Sequence, residues 1–355
     1  MFRSMPPRRG RFVLGASVAL AFLGVPAAGA MADPGALYTQ TNDPAGNVVQ
    51  AFDRDARGEL TPAGTFSTGG NGLAALGNRQ GAVELSDDES TVYAVNGGSN
   101  SVSVFDAGRS GLALEDVAPS GGVAPNSVDE HHGRVYVLNS GGTPNVTAFR
   151  AHRDGSLEQI GRRDLPGALG AAQVTVAPDG DALVVSERLS NRLETLPLDA
   201  AGRPGAPVIT ASSGAVPFGF AFGHRGDLVV SEAGASTVSS YRLSSGGLDL
   251  VSASLPVGFG AACWVAISPD GKLAYTGNAS GSISGFAIGT DGGLAPIGTT
   301  PTPSPRDLAF SRNGRYLYAV SPTGRVTGYR VATDGGLEQV TSVPAAAGLT
   351  GVAAG

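Results

Sequence analysis

Cysteine is almost absent from this chain. Its 355 residues hold a single one, Cys263, so no intrachain disulfide can form and no Cys-x-x-Cys pair is available for redox chemistry or zinc. That lone thiol, beside Trp264 in an apolar run, reads as a small buried hydrophobe, with a reactive or ligand-contacting thiol as the other reading. Charged residues make up only 15% of the chain, against about 25% in ordinary soluble domains. No G-x-S-x-G elbow and no glycine-rich phosphate loop occurs, which removes the motifs of α/β-hydrolase and nucleotide-binding chemistry. Long helical patterns are missing as well, and period-two strands point to an all-β protein.

One apolar run stands out, Phe12 to Val25, too short and interrupted to anchor the chain in a bilayer. Arg3, Arg8, Arg9 and Arg11 precede it, and Ala28-Gly29-Ala30 or Ala30-Met31-Ala32 follows with small residues for cleavage, so residues 1–32 read as a secretory signal peptide. Arg8-Arg9 with Phe12 loosely resembles a twin-arginine signal. Removing that segment leaves 20 basic residues against 30 acidic, a net charge of −10. Such a balance disfavours nucleic acid and anionic membrane as partners. The expected mature protein is a secreted monomer with no membrane span.

What the chain does have is glycine, 54 residues of it, and a repeat. The stretch Ala262 to Phe286 shows the unit most clearly: an apolar strand, the turn Ser268-Pro269-Asp270-Gly271, a second strand from Leu273 to Gly277, a Gly/Ser loop, and a third strand from Ser282. A weaker fourth strand follows Asp291-Gly292-Gly293. Second strands of successive copies end at Asn96, Asn139, Glu187, Glu232, Asn278 and Ser321, at steps of 43, 48, 45, 46 and 43 residues. A period near 45 with four short strands per copy predicts β-propeller blades. An incomplete copy, Ala36 to Phe52, begins at the second strand, and Leu349 to Ala354 supplies a first strand at the far end. The expectation is therefore one domain over 33–355: a seven-bladed β-propeller of four-stranded antiparallel blades whose termini share a blade.

With strands a to d in each blade, the b–c loops and d–a connections gather at one end, which should carry the pocket mouth. Asn139, Glu187, Glu232 and Asn278 close strand b there, and Asn126, Gln173, Phe218, Cys263, Trp264, Arg306 and Asp307 open strand a. Histidine is the informative exclusion. His131, His132 and His224 fall in a–b turns and His152 in a c–d hairpin, away from that end. Nor does spacing give a metal site, since adjacent His131 and His132 point apart in extended chain. Ser86-Asp87-Asp88-Glu89 reads as turn chemistry rather than a ligand cluster. The loop Ser67 to Gln80 is the longest departure from the repeat.

The repeat, with its APDG, SPDG and DGGL turns, resembles the lactonase-like seven-bladed propeller family, which includes bacterial 6-phosphogluconolactonase and fungal carboxymuconate cyclase. The resemblance implies a pocket built from a His, two Arg and a Glu, acting without metal or cofactor on a sugar-acid lactone or a carboxylated muconate. Ser231 to Val238 matches the family's blade-five pattern and keeps its Glu as Glu232, while Asn191-Arg192-Leu193 keeps an Arg as Arg192. The family's Pro-His-x-His appears as Leu169-Gly170-Ala171-Ala172, without imidazole, and its Asn-Arg-Gly as Asn278-Ala279-Ser280, without guanidinium. Losing the proton donor and a carboxylate clamp favours a non-catalytic binding relative.

The site expected from these residues has Glu232 and Arg192 in the family's catalytic positions. Glu187, Trp264, Arg306, Asn139 and Asn278 surround a small acidic or lactone ligand, or a cell-surface glycan or protein. The alternative is a hydrolase or cyclase in which Glu232 exchanges protons while Arg192 and Arg306 orient a carboxylate. N-terminal sequencing of protein from culture medium should find a mature chain starting near Met31 or Asp33; a product retaining Arg8 and Arg9 would remove the export assignment.

Overall fold

The computed structural model describes residues 1–2, 34–73, 80–108 and 111–355; beyond its first two residues the leader read over 1–32 lies outside the described residues. Asp33–Gly355 forms one compact unit. Its 28 strands make seven four-stranded antiparallel sheets, with no helix among the described residues, and this is the seven-bladed β-propeller expected from the repeat: blade 1 is 35–67 with 350–354, and blades 2 to 7 are 83–119, 123–164, 171–211, 217–256, 262–301 and 307–344.

Blade 6 shows how the sequence makes a blade. Strands Ala262–Ile267, Leu273–Asn278, Ser282–Ile288 and Leu294–Pro301 pair in order. In its a–b turn, Ser268 Oγ donates to Asp270 Oδ1 at 2.7 Å, and Gly271, at φ +69°, closes the reversal by donating its N–H to the Ser268 carbonyl. Blade 2 builds the same turn from Ser86 to Glu89. Ser86 Oγ donates to Asp88 Oδ1 at 2.7 Å, and Glu89 takes the left-handed position at φ +61°.

Neighbouring blades bury their faces against each other. Tyr136 and Leu138 of blade 3 pack on Val174, Leu183 and Val185 of blade 4, and each fully buried aliphatic side chain of this kind contributes about 1.5–3 kcal/mol. Strand-b tyrosines also reach into the next blade: Tyr275 Oη donates to the Gly335 carbonyl at 2.7 Å and Tyr318 Oη to that of Gly58 at 3.0 Å. At Gly58, φ is +82° and a Cβ would fall 2.4 Å from the Tyr316 ring, so glycine is required twice over.

Ring closure follows the predicted pairing. Thr350–Ala354 runs antiparallel to Gly35–Gln40, with Leu37 opposite Ala354 and Thr39 opposite Val352. Thr39 Oγ1 donates to the Gly351 carbonyl at 2.6 Å, and Arg54 Nη2 to that of Gly355 at 2.8 Å. Deleting residues 350–355 should expose two sheet edges and abolish cooperative melting; a truncated chain that melts like the full one would exclude this closure as the constraint on the ring.

Candidate functional site

The inner strands carry an irregularity at the end where the sequence places the site. Register slips in strand a leave out Asn126 in blade 3, Ala172 in blade 4, Phe218 and Gly219 in blade 5 and Cys263 in blade 6. A bulge re-aims the extra residue out of the ladder. Before each bulge stands a residue of positive φ: Ala124 (+53°), Gly170 (+70°), Val216 (+62°) and Ala261 (+58°), with Ser304 (+32°) at the matching point of blade 7. A left-handed β-branched residue such as Val216 costs about 1–3 kcal/mol and persists only where its surroundings hold it. The preceding blade supplies that hold. Ala124 N–H donates to Asn100 Oδ1 at 2.7 Å, Val216 N–H to Asn191 Oδ1 at 2.7 Å, and Ala261 N–H to Ser236 Oγ at 3.0 Å.

The re-aimed residues pack together. Ala172, Phe218, Cys263 and Trp264 lie in one cluster, and Asn126 Nδ2 donates to the carbonyls of Ala171 (2.9 Å) and Ala172 (3.3 Å). Over it lie two guanidinium groups, Arg188 at 5.4 Å from the centre of the Phe218 ring and Arg306 at 5.5 Å from that of Trp264. Neither has a carboxylate partner among the described residues; Arg188 Nε donates only to the Gly170 carbonyl, at 3.3 Å. Both reach the same point electrostatically. Burial pushes the Cys263 thiol up to about 11, and Arg306 and Arg188 act against that rise. Asn126 Oδ1 is buried without a hydrogen-bond partner.

The remaining residues expected at the site form a polar lock repeated from blade to blade, in which the last residue of strand b bonds the head of strand c. Asn139 Nδ2 donates to Asn145 Oδ1 (3.1 Å) and Thr147 Oγ1 (3.3 Å), and Asn278 Nδ2 to the hydroxyls of Ser282 (3.0 Å) and Ser284 (2.8 Å). Glu232 accepts from Thr237, from Ser239 Oγ at 2.6 Å and from Gly214 N–H at 2.7 Å. Glu187 accepts from Ser190 and from Arg192 Nε at 2.8 Å, and Arg192 Nη2 also binds Glu194 Oε1 at 2.7 Å. Asn139, Asn278, Glu187, Glu232 and Trp264 are all 0% exposed, so of the residues expected to meet a ligand only Arg306 and part of Arg192 reach the surface. Burial and the adjacent Glu187 push Glu194 up to about 8, against the pull of Arg192.

The long loop reaches into the axis from the outside of the repeat. Gln80, at the end of the long loop, crosses the axis: its Nε2 donates to the Val265 carbonyl at 2.7 Å and its Oε1 accepts the Val265 N–H at 3.0 Å, three blades away around the ring. Gly219 leaves room for it, since a Cβ there would fall 1.8 Å from Gln80 Oε1. Beyond this plug a cavity of about 550 Å³ opens toward the a–b turns, lined by Glu84, Asp129, Gln173, Phe222 and Asp307. Burial pushes Asp307 up to about 8 and Asp129 to about 7, against hydrogen bonds from backbone N–H groups, and raises Glu84 with help from both neighbours' charge. Sequence reasoning named neither Arg188 nor Gln80 as a site residue. Arg188 is masked by following Glu187 directly, and Gln80 lies outside the repeat.

A model of the family described as Lactonase, 7-bladed beta-propeller matches residues 45–163, 143–263 and 259–352. A Bacteroides uniformis protein provisionally described as a 6-phosphogluconolactonase has a similar structure, with TM-score 0.76 and 19% identity over 91% of this chain and 99% of that one. The periplasmic gluconolactonase of Pseudomonas aeruginosa is similar too, with TM-score 0.75 and 17% identity over 91% and 99%. At such identities these two structures bear on the fold alone. Among curated proteins no sequence match is found.

The channel acids make a pH prediction. Asp307 carries a folded-state pKa of about 8 against an ordinary 3.8, so the folded chain binds the extra proton. Its contribution to stability is full below the unfolded value and declines as pH rises to the folded one. Melting temperature should therefore fall between about pH 4 and about pH 8, and Asp307→Asn should flatten that slope. An unchanged slope in the variant would show that Asp307 titrates normally.

Proposed function

The chain belongs to the seven-bladed β-propeller lactonase family, and within it we propose an exported, non-catalytic protein that binds a small hydroxylated acid at the head of the inner strands. The observation that carries this reading is the pair Arg188 and Arg306, two guanidinium groups without a carboxylate partner among the described residues, seated over Phe218 and Trp264 beside one thiol. A planar guanidinium held over a ring is preorganised, so less entropy is lost when it grips a carboxylate or phosphate. Asn126 Oδ1 offers a buried acceptor in the same cluster, suited to a ligand hydroxyl. Sugar acids combine both groups.

Catalysis lacks its proton carrier in this arrangement. Glu232 is consumed by hydrogen bonds from blade 5, Ala172 stands where the family resemblance puts an imidazole, and the four histidines lie on a–b turns or a c–d hairpin. Export rests on the leader motif of residues 1–32.

The test is calorimetry with gluconate, 6-phosphogluconate and the corresponding lactones, alongside a lactonase assay. Saturable binding of the acids is expected, with hydrolysis at the buffer rate. Arg188→Ala and Arg306→Ala should each weaken binding about tenfold or more, as about 1.5–3 kcal/mol for a charged hydrogen bond requires. A lactonase rate clearly above buffer and lost in Glu232→Gln would restore the enzyme reading, and an absence of binding to the whole panel would reject the acid ligand.

A further inference from the structure

Extended geometry separates consecutive side chains, yet His131 and His132 come together. His131 ends the inner strand of blade 3, and His132 turns left-handed at φ +51°, which brings the ring centres to 4.1 Å. Their Nδ1 atoms converge on one oxygen of blade 2, Asp87 Oδ2, at 3.4 Å from His131 and 3.3 Å from His132, and all three ligand atoms lie within 4.8 Å of one another. The expectation that these histidines diverge is thus corrected, and the physical reason is the single left-handed residue.

We propose that Asp87, His131 and His132 bind a divalent transition-metal ion of the Zn²⁺ class across the junction of blades 2 and 3. The spacing favours a metal over direct pairing. Charge-assisted N–H···O bonds are about 2.7–2.9 Å long, shorter than either contact. A tetrahedral ion with N and O ligands at about 2.0–2.1 Å instead sets its ligand atoms about 3.3–3.4 Å apart, matching both. Two imidazoles and a carboxylate are borderline ligands that select Zn²⁺, Cu²⁺, Ni²⁺ or Co²⁺ over Mg²⁺ and Ca²⁺.

The two turns are tied together by a third group. Glu130, 8% exposed, accepts the Asp87 N–H through Oε2 at 2.8 Å and the Gly133 N–H through Oε1 at 2.5 Å. Asp87 Oδ2 itself accepts the His132 N–H at 3.1 Å. The ligands are therefore held in place by the fold. Beside them a cleft of about 540 Å³ is lined by Asp87, Asp88, Asp106, Glu115 and Glu130 against a single arginine, Arg153. Five carboxylates there draw cations in, and water from the cleft completes the coordination left open by three protein ligands.

The experiment uses untagged protein stripped with EDTA. Titration with ZnCl₂ in a calorimeter should find one ion per chain, Co²⁺ should give the intense visible bands of tetrahedral coordination, and Zn²⁺ but not Mg²⁺ should raise the melting temperature. His132→Ala and Asp87→Asn, both at exposed side chains, should each weaken Zn²⁺ binding at least about tenfold, since losing even an outer-shell partner commonly costs 10–100-fold. His152→Ala should leave it unchanged. No uptake by the wild-type chain, or uptake unaltered in both ligand variants, would overturn the site.

Discussion

Seven inner strands must meet around one axis, and the way each of them starts decides most of what the molecule presents at its b–c end. A strand that simply continued the ladder would aim alternate side chains between blades. Here a left-handed residue followed by a bulge turns one side chain per blade out of that pattern, so Asn126, Ala172, Phe218 and Cys263 come from four consecutive blades to one place. Ala124, Val216 and Ala261 are each bonded from the blade before them, as Val216 is by Asn191, and this holds them in place. Site geometry and blade order thus depend on the same contacts. Loosening the ring would loosen the site.

Polar groups are sorted along the axis by what can satisfy them. Strand-b ends bury Glu187, Glu232, Asn139 and Asn278 at 0% exposure; hydroxyls, an arginine or backbone N–H groups meet the oxygens of Glu187, Glu232 and Asn278, whereas Asn139 bonds through Nδ2 and its Oδ1 has no partner. Past Gln80, the channel holds Glu84, Asp129 and Asp307, and burial raises all three toward the protonated form although backbone N–H groups bond Asp129 and Asp307. The guanidinium groups of Arg188 and Arg306 occupy the opposite end. A net-acidic chain thus carries these two guanidinium groups and its buried channel acids at opposite ends of one axis.

Much of the architecture is legible in the letters because it is periodic. Steps of 43 to 48 residues, the Ser-Pro-Asp-Gly turn and the unpaired Leu349 to Ala354 segment lead to seven blades and their closure. The site is less legible, for two physical reasons. Positive φ at Val216, Ala261 and His132 carries no glycine to announce it, so neither the bulges nor the folding back of His132 can be read from residue types. Alignment by the end of strand b also selects the residues that are equivalent from blade to blade. Equivalence of that kind marks what every blade needs, the bond from strand b to the head of strand c, and so it led to Glu232, Asn139 and Asn278. Arg188 and Gln80 have no counterparts in the repeat.

Blade 4 shows what an imidazole at the position the resemblance assigns would meet. An imidazole at position 172 would enter a cluster already filled by Phe218, Cys263 and Trp264, with Asn126 bonded to the Ala172 carbonyl and Arg188 lying over the Phe218 ring. Close-packed interiors accept added volume only by shifting their neighbours, at about 1–3 kcal/mol. The arginine the resemblance retains is also committed, since Arg192 bridges Glu187 and Glu194. Moving it toward a substrate would leave two buried carboxyl groups without their cation, a change that costs about 3–5 kcal/mol when a buried pair is broken. Arg188 and Arg306 are bound to no acid among the described residues and can turn to an anion without such a cost, which is why the proposed acid ligand is assigned to them and not to Arg192.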